Sequence, residues 1–194
     1  TVVVAFEGKD SDGMIQTLKI KADGIITKLK KFEHDTNLGQ HNSLVRIDDN
    51  TVALAYYASN KGTLKTFDIA TDGTITQVAS KDFSTGSNAG KYNQLVRLNT
   101  NIFVLAYSGV SADGFIDAYN ISADGKTIAL KKSLEHDEVQ NSYNSLIKIG
   151  LNRVALAYTG VDTDGFVKSF DITSDGTTIS QDINLEHDKS SATY

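Results

Sequence analysis

The 194-residue chain contains no cysteine, no proline and no tryptophan. Without cysteine, neither disulfides nor thiolate metal centres can form. Positive charge is thin: 19 basic residues face 24 acidic ones, the formal net charge is −5, and no basic run exceeds Lys30-Lys31 or Lys131-Lys132. Nucleic-acid binding needs clustered cations that displace counterions, so DNA, RNA and anionic lipid are not expected as partners. No apolar stretch approaches the ~20 residues that span a bilayer, which argues against membrane insertion.

What is present is repetition. Leu54-Ala55-Tyr56, Leu105-Ala106-Tyr107 and Leu156-Ala157-Tyr158 recur at a step of 51 residues, with Val4-Ala5-Phe6 as a degenerate copy. Asn42, Asn93 and Asn144 keep the same step, each opening a short apolar run. Glu33-His34-Asp35 returns as Glu135-His136-Asp137 and Glu186-His187-Asp188. A period near 50 built from short strands and Asp-Gly turns is the signature of an all-β β-propeller. The copies run approximately over 1–41, 42–92, 93–143 and 144–194.

In the fourth copy, 144–149 reads as an inner strand, 154–158 as the second, 166–172 as the third and roughly 178–185 as the outer one. Asp-Gly between apolar runs predicts tight hairpins that need positive φ. It stands between the third and fourth strands of every copy, at Gly24, Gly73, Gly125 and Gly176, and before the third strand at Gly13, Gly114 and Gly165. Each copy is thus a four-stranded antiparallel blade. The second strands are apolar on both faces, as expected between neighbouring blades. The outer strands are more polar, and their lysines guard an edge.

The first copy lacks an inner strand, so the count is three strands plus three sets of four. Two expectations follow: a closed ring of four blades, or a window on a larger ring of five to eight, the latter preferred. Self-association or further blades would then complete the ring.

The blades resemble WD repeats. In that family a His before the first strand and an Asp in the turn after the second form a structural hydrogen-bond network. The resemblance places His34, His136 and His187 in one role, and Asp12, Asp113 and Asp164 in the other. Phe67-Asp68 and Phe170-Asp171 stand where WD repeats carry Trp-Asp. The phrasing is also similar to tandem-repeat surface proteins of environmental microbes, a resemblance that brings no activity with it.

Each tempting residue has a plain alternative. The Glu-His-Asp triplets could supply a base or a metal ligand, but three near-identical catalytic sites would be unusual and the second copy has Ser84-Thr85-Gly86 instead, so a structural role is preferred. Asp10-x-Asp12-Gly13 and Asp162-x-Asp164-Gly165 open like calcium loops, making Asp10, Asp12, Asp162 and Asp164 weak candidates. The twelfth positions, Lys21 and Thr173, cannot ligate, so turns are preferred. His41, Tyr92, Tyr143 and Tyr194 precede an asparagine or its expected place. With Asn42, Asn93 and Asn144 they are candidates for sugar pockets, one per blade junction, against the alternative of inter-blade packing.

No Gly-rich phosphate loop, nucleophile elbow or His-Glu-x-x-His occurs, and no cofactor is expected. The near-identity of the copies predicts a non-enzymatic scaffold that binds protein or carbohydrate, because repeated weak sites gain through avidity. The alternatives are an enzyme with one site in the central channel, or a weak calcium-binding, lectin-like module. The acidic, Asn/Thr/Ser-rich composition favours an extracellular or surface location.

Overall fold

A computed structural model describes residues 1–188, so Tyr194 lies outside the described residues. Among the described residues, fifteen strands form three four-stranded sheets and one three-stranded sheet, all antiparallel meanders. Blade 1 holds β1 (Val2–Glu7), β2 (Gly13–Ile20) and β3 (Ile26–Asp35). Blade 2 holds β4 (Gln40–Arg46), β5 (Thr51–Tyr57), β6 (Lys61–Ile69) and β7 (Ile75–Thr85). Blade 3 holds β8 (Lys91–Arg97), β9 (Ile102–Ser108), β10 (Gly114–Ile121) and β11 (Ile128–Asp137). Blade 4 holds β12 (Ser142–Lys148), β13 (Arg153–Thr159), β14 (Gly165–Ile172) and β15 (Ile179–Asp188). This is the β-propeller read from the repeat. The inner strands β4, β8 and β12 pack side by side.

The core lies between blades. Ile15 of blade 1 packs with Leu54, Tyr56 and Phe67 of blade 2; Ala53, Ala55 and Leu64 pack with Phe103, Leu105 and Tyr119; Val104, Ala106 and Ile116 pack with Leu156, Tyr158 and Phe170. Blades 2 and 3 therefore each offer one face to the predecessor and the other to the successor. This is why β5 and β9 are buried at every residue. Burying a large aliphatic side chain contributes about 1.5–3 kcal/mol, so these junctions carry most of the stabilisation.

The two kinds of Asp-Gly site differ. Gly24, Gly73, Gly125 and Gly176 have φ of 84, 88, 68 and 74°, as the hairpin reading requires. The preceding Asp of each accepts an amide two residues on, for example Thr74 N to Asp72 Oδ1 at 2.9 Å. Gly13, Gly114 and Gly165 instead begin strands, and the positive φ falls on Asp10-Ser11, Ser111-Ala112 and Asp162-Thr163. The reason for glycine at Gly13 and Gly114 is space. A Cβ on Gly13 would lie 2.4 Å from the His34 ring, and one on Gly114 would lie 2.7 Å from His136.

The outer strands also run further than expected. β3 and β11 include their Glu-His-Asp triplets, which were placed in loops by the sequence. A register shift against Gly13 and Gly114 bulges His34 and His136 inward.

Candidate functional site

At the start of each inner strand the ladder slips. Gln40 pairs with Tyr57 and Ser43 with Ala55, leaving His41 and Asn42 outside the register. Blades 3 and 4 repeat the slip at Tyr92-Asn93 and Tyr143-Asn144. His41, Tyr92 and Tyr143 sit at φ 52, 53 and 52°, a left-handed conformation that costs about 1–2 kcal/mol in residues with a Cβ.

The following asparagine holds that conformation. Asn42 Nδ2 donates to Gly39 O at 2.8 Å. Asn93 Nδ2 donates to Gly90 O at 2.9 Å and also to His41 O of blade 2 at 3.2 Å. Asn144 Nδ2 donates to Tyr92 O of blade 3 at 3.0 Å. The Asn93 and Asn144 amides thus secure the aromatic residue of the preceding blade. Asn141, where the other copies carry Gly39 and Gly90, exchanges two bonds with Asn144 at 2.8 and 2.9 Å. Sequence reading passed over Asn141, although its break from the repeat is visible.

The bulges swing the three rings together. His41 and Tyr92 centroids lie 4.7 Å apart, and Tyr92 and Tyr143 lie 4.8 Å apart. With Asn42, Asn93, Gln94, Asn144 and Ser145 they line one cleft of about 450 Å³. Asn42 Oδ1 and Asn93 Oδ1 are buried here with no hydrogen-bond partner. Two acceptors beside three rings suit a ligand that offers hydroxyl donors and an apolar face. A second cleft of about 570 Å³ shares Tyr92 and Tyr143 and reaches Lys91.

The electrostatics favour neutral groups. Burial, with Lys91 second, holds His41 below its ordinary 6.5, against the pull of Glu7. Glu7 accepts from Gln40 Nε2 at 2.9 Å, which lowers its own pKa. Burial and the Tyr143 phenol push Tyr92 upward. At neutral pH the cleft therefore offers an unprotonated imidazole, fit to accept a proton, and phenols fit to donate hydrogen bonds.

The remaining candidates lie elsewhere. His34 and His136 are buried, and both ring nitrogens of each lack partners. The expected hydrogen-bond network through these rings is therefore corrected to aromatic packing, on Tyr56 and Phe67 in one case and Tyr158 and Phe170 in the other. The polar links run beside them. Tyr56 Oη donates to Asp35 at 2.9 Å and Tyr158 Oη to Asp137 at 2.7 Å, while Lys65 and Lys168 donate to the His34 and His136 carbonyls. Asp12, Asp113 and Asp164 accept through their main-chain carbonyls from Gly8, Gly109 and Gly160. His187 is exposed near the end of β15. Asp10 and Asp162 sit in the left-handed turns, and among the described residues no group of three or more His, Asp or Glu side chains is placed to hold a metal.

The chain matches no protein-family model and no protein of curated function. Among solved structures it is similar to a candidate 6-phosphogluconolactonase of Bacteroides fragilis, with TM-score 0.68, 16% identity, and coverage of 96% of this chain and 54% of that one. The NanB sialidase of Streptococcus pneumoniae gives 0.65 and 16%, over 91% and 29% of the two chains. The periplasmic gluconolactonase PpgL of Pseudomonas aeruginosa gives 0.52 and 13%, over 100% and 70%. This chain thus spans about half of the first protein and under a third of the second.

At this identity the likeness carries the fold, and the three proteins compared are a candidate lactonase, a sialidase and a gluconolactonase. It overturns the expectation of a non-enzymatic scaffold. The physical reason lies in the cleft. Near-identical copies were read as separate, multivalent pockets, whereas His41, Tyr92 and Tyr143 of three blades converge on one.

Proposed function

We propose that the chain forms the active-site part of a hydrolase that opens a sugar-derived lactone in the inner-strand cleft. The observation that carries this reading is the convergence of three repeat copies on one cleft. That cleft holds a neutral His41 beside the unpartnered Asn42 Oδ1 and Asn93 Oδ1. The two amide oxygens would accept hydroxyl protons from a polyol ring, and Tyr143 offers its exposed face for stacking.

In the reaction, His41 takes a proton from water as its oxygen attacks the lactone carbonyl carbon. The Tyr92 and Tyr143 phenols donate hydrogen bonds to the developing oxyanion. The tetrahedral adduct collapses, the carbonyl–ring-oxygen bond breaks, and the imidazolium returns its proton to the departing alkoxide. The product is a hydroxy acid.

Lactone opening fits better than glycoside hydrolysis. Most glycosidases need a pair of carboxyl groups across the scissile bond, and sialidases use a tyrosine nucleophile. Among the described residues no carboxylate lines this cleft, and the upward shift of Tyr92 is the wrong direction for a nucleophile.

The test is acid release from glucono-δ-lactone and its 6-phosphate, with the spontaneous rate subtracted. The chain is expected to exceed background, and His41→Asn, which tolerates the left-handed backbone, should lower kcat at least ~100-fold. No rate above background on either lactone would sink the reading.

A further inference from the structure

Two sheet faces of the arc lack the neighbour that their equivalents have. On blade 4, Ile149 is 53% exposed, whereas Leu98 at the same place on blade 3 is 0% exposed against blade 4. On blade 1, Ile26 is 61% exposed, whereas Ile75 of blade 2 is 7% exposed against blade 1. These are the successor face of blade 4 and the predecessor face of blade 1, the two halves from which every internal junction is made.

Two polar observations agree. At the first junction Thr17 Oγ1 donates to Gly73 O at 2.8 Å, and at the second Thr66 Oγ1 donates to Gly125 O at 2.7 Å. Ser169 holds the equivalent place on blade 4, and its Oγ is buried without a partner. The equivalent carbonyl on blade 1 belongs to Gly24. A Cβ built on Gly24 meets nothing within 4 Å, whereas Gly73, Gly125 and Gly176 all meet atoms of the preceding blade. One face holds an unused donor and the other an unused turn.

We propose that blade 4 of one chain packs on blade 1 of a second copy, head to tail, and that two copies close an eight-bladed ring. Ser169 Oγ then donates to the carbonyl of Gly24 of the partner subunit, and Ile149 and Ile26 are covered together. The occupant is a second copy because its blade 1 offers the only predecessor face left uncovered among the described residues, of the type that blades 2, 3 and 4 use internally. A heterologous contact of this kind forms a ring when the rotation closes. Eight blades lie within the range that propellers adopt, and this chain covers 54% of a larger solved chain at TM-score 0.68.

The experiment is the solution mass of the 194-residue chain by light scattering after size exclusion, at about 100 µM. The expected mass is twice the 21.0 kDa of one chain. Ile149→Asp and Ile26→Asp should each weaken association at least tenfold with unchanged far-ultraviolet circular dichroism. Mixed in equal amounts, they should regain a two-chain species, because the mixture contains one intact pair of faces. Should Ile149→Asp not fold, Ile147→Asp, which lies two residues earlier within β12 and is 61% exposed, replaces it. A wild-type mass of one chain, a ladder of masses beyond two, or a mixture that stays at one chain would each overturn the proposal.

Discussion

Lys168 of blade 4 donates its ammonium to the main-chain carbonyl of His136 in blade 3, and lies over the Tyr158 ring with Nζ 5.3 Å from the centroid. Its Nζ is also 3.8 Å from Asp137, which accepts from Tyr158 Oη. A buried cation is thus tied to the neighbouring blade by a carbonyl and a carboxylate, and rests on a ring of its own blade. Lys168→Ala is expected to lower unfolding free energy by about 3 kcal/mol, because it strands those acceptors. Urea denaturation at pH 7.5 measures the loss. A change below about 1 kcal/mol would mean that the apolar face alone holds the junction.

Acid should weaken the fold through the buried histidines. Burial, then the neighbouring lysine, lowers His34 to about 4 and His136 to about 3, from an ordinary 6.5. Below 6.5 the unfolded chain takes up protons that the folded chain refuses. Stability is therefore complete above that pH and is lost as pH falls towards 4 and then 3. Each imidazole should remove roughly 2–3 kcal/mol by pH 4.5. Phe83 already fills the equivalent place against Gly62. His136→Phe should accordingly flatten the pH dependence by about half, as read from melting temperatures between pH 7.5 and 4.5.

Asp117 acts in the opposite sense. It stands in β10 where β6 and β14 carry Lys65 and Lys168, and accepts from Tyr119 Oη at 3.0 Å and Tyr107 Oη at 3.3 Å. Burial raises its carboxyl from 3.8 to about 6. The unfolded chain releases this proton first, so the contribution is present below 3.8 and is lost as pH rises through about 6. Asp117→Asn should gain roughly 1–2 kcal/mol at pH 7.5 and nothing at pH 4. An equal effect at both values would exclude titration as the cause.

Asn93→Ala removes the bonds to Gly90 O and His41 O together. A loss of about 1–3 kcal/mol is expected, since two buried carbonyls lose their donor. His41 should also move back towards 6.5 as its ring gains water, which imidazole proton NMR would follow. An unmoved His41 would show that the bulge holds itself.

The repeat made the blades legible because strand-and-turn chemistry is local: a 51-residue step, apolar second strands and Asp-Gly turns fix each meander. Reading the glycines was less complete. Gly24 and Gly13 look alike in sequence, yet one supplies a positive φ and the other makes room for an imidazole contributed 21 residues later. The aromatic–asparagine pairs were visible as candidates, but not their convergence, which depends on the bulge and on how three blades fan around an axis. The Asp117 substitution was overlooked for a similar reason. It makes sense only beside Phe83 and Ser84, which replace the His and Asp that a lysine would face across the junction. The strand register sets them there, unlike the 51-residue step, which put Ser84-Thr85-Gly86 in that place.

The amides of Asn93 and Asn144 each reach back one blade, to His41 O and Tyr92 O. Dependence in the cleft therefore runs one way. A disturbance in blade 4 reaches Tyr92 and one in blade 3 reaches His41, whereas blade 2 can loosen without releasing either tyrosine. Inherited damage to this cleft should therefore show one blade upstream of the blade that is struck: in Tyr92 for blade 4 and in His41 for blade 3.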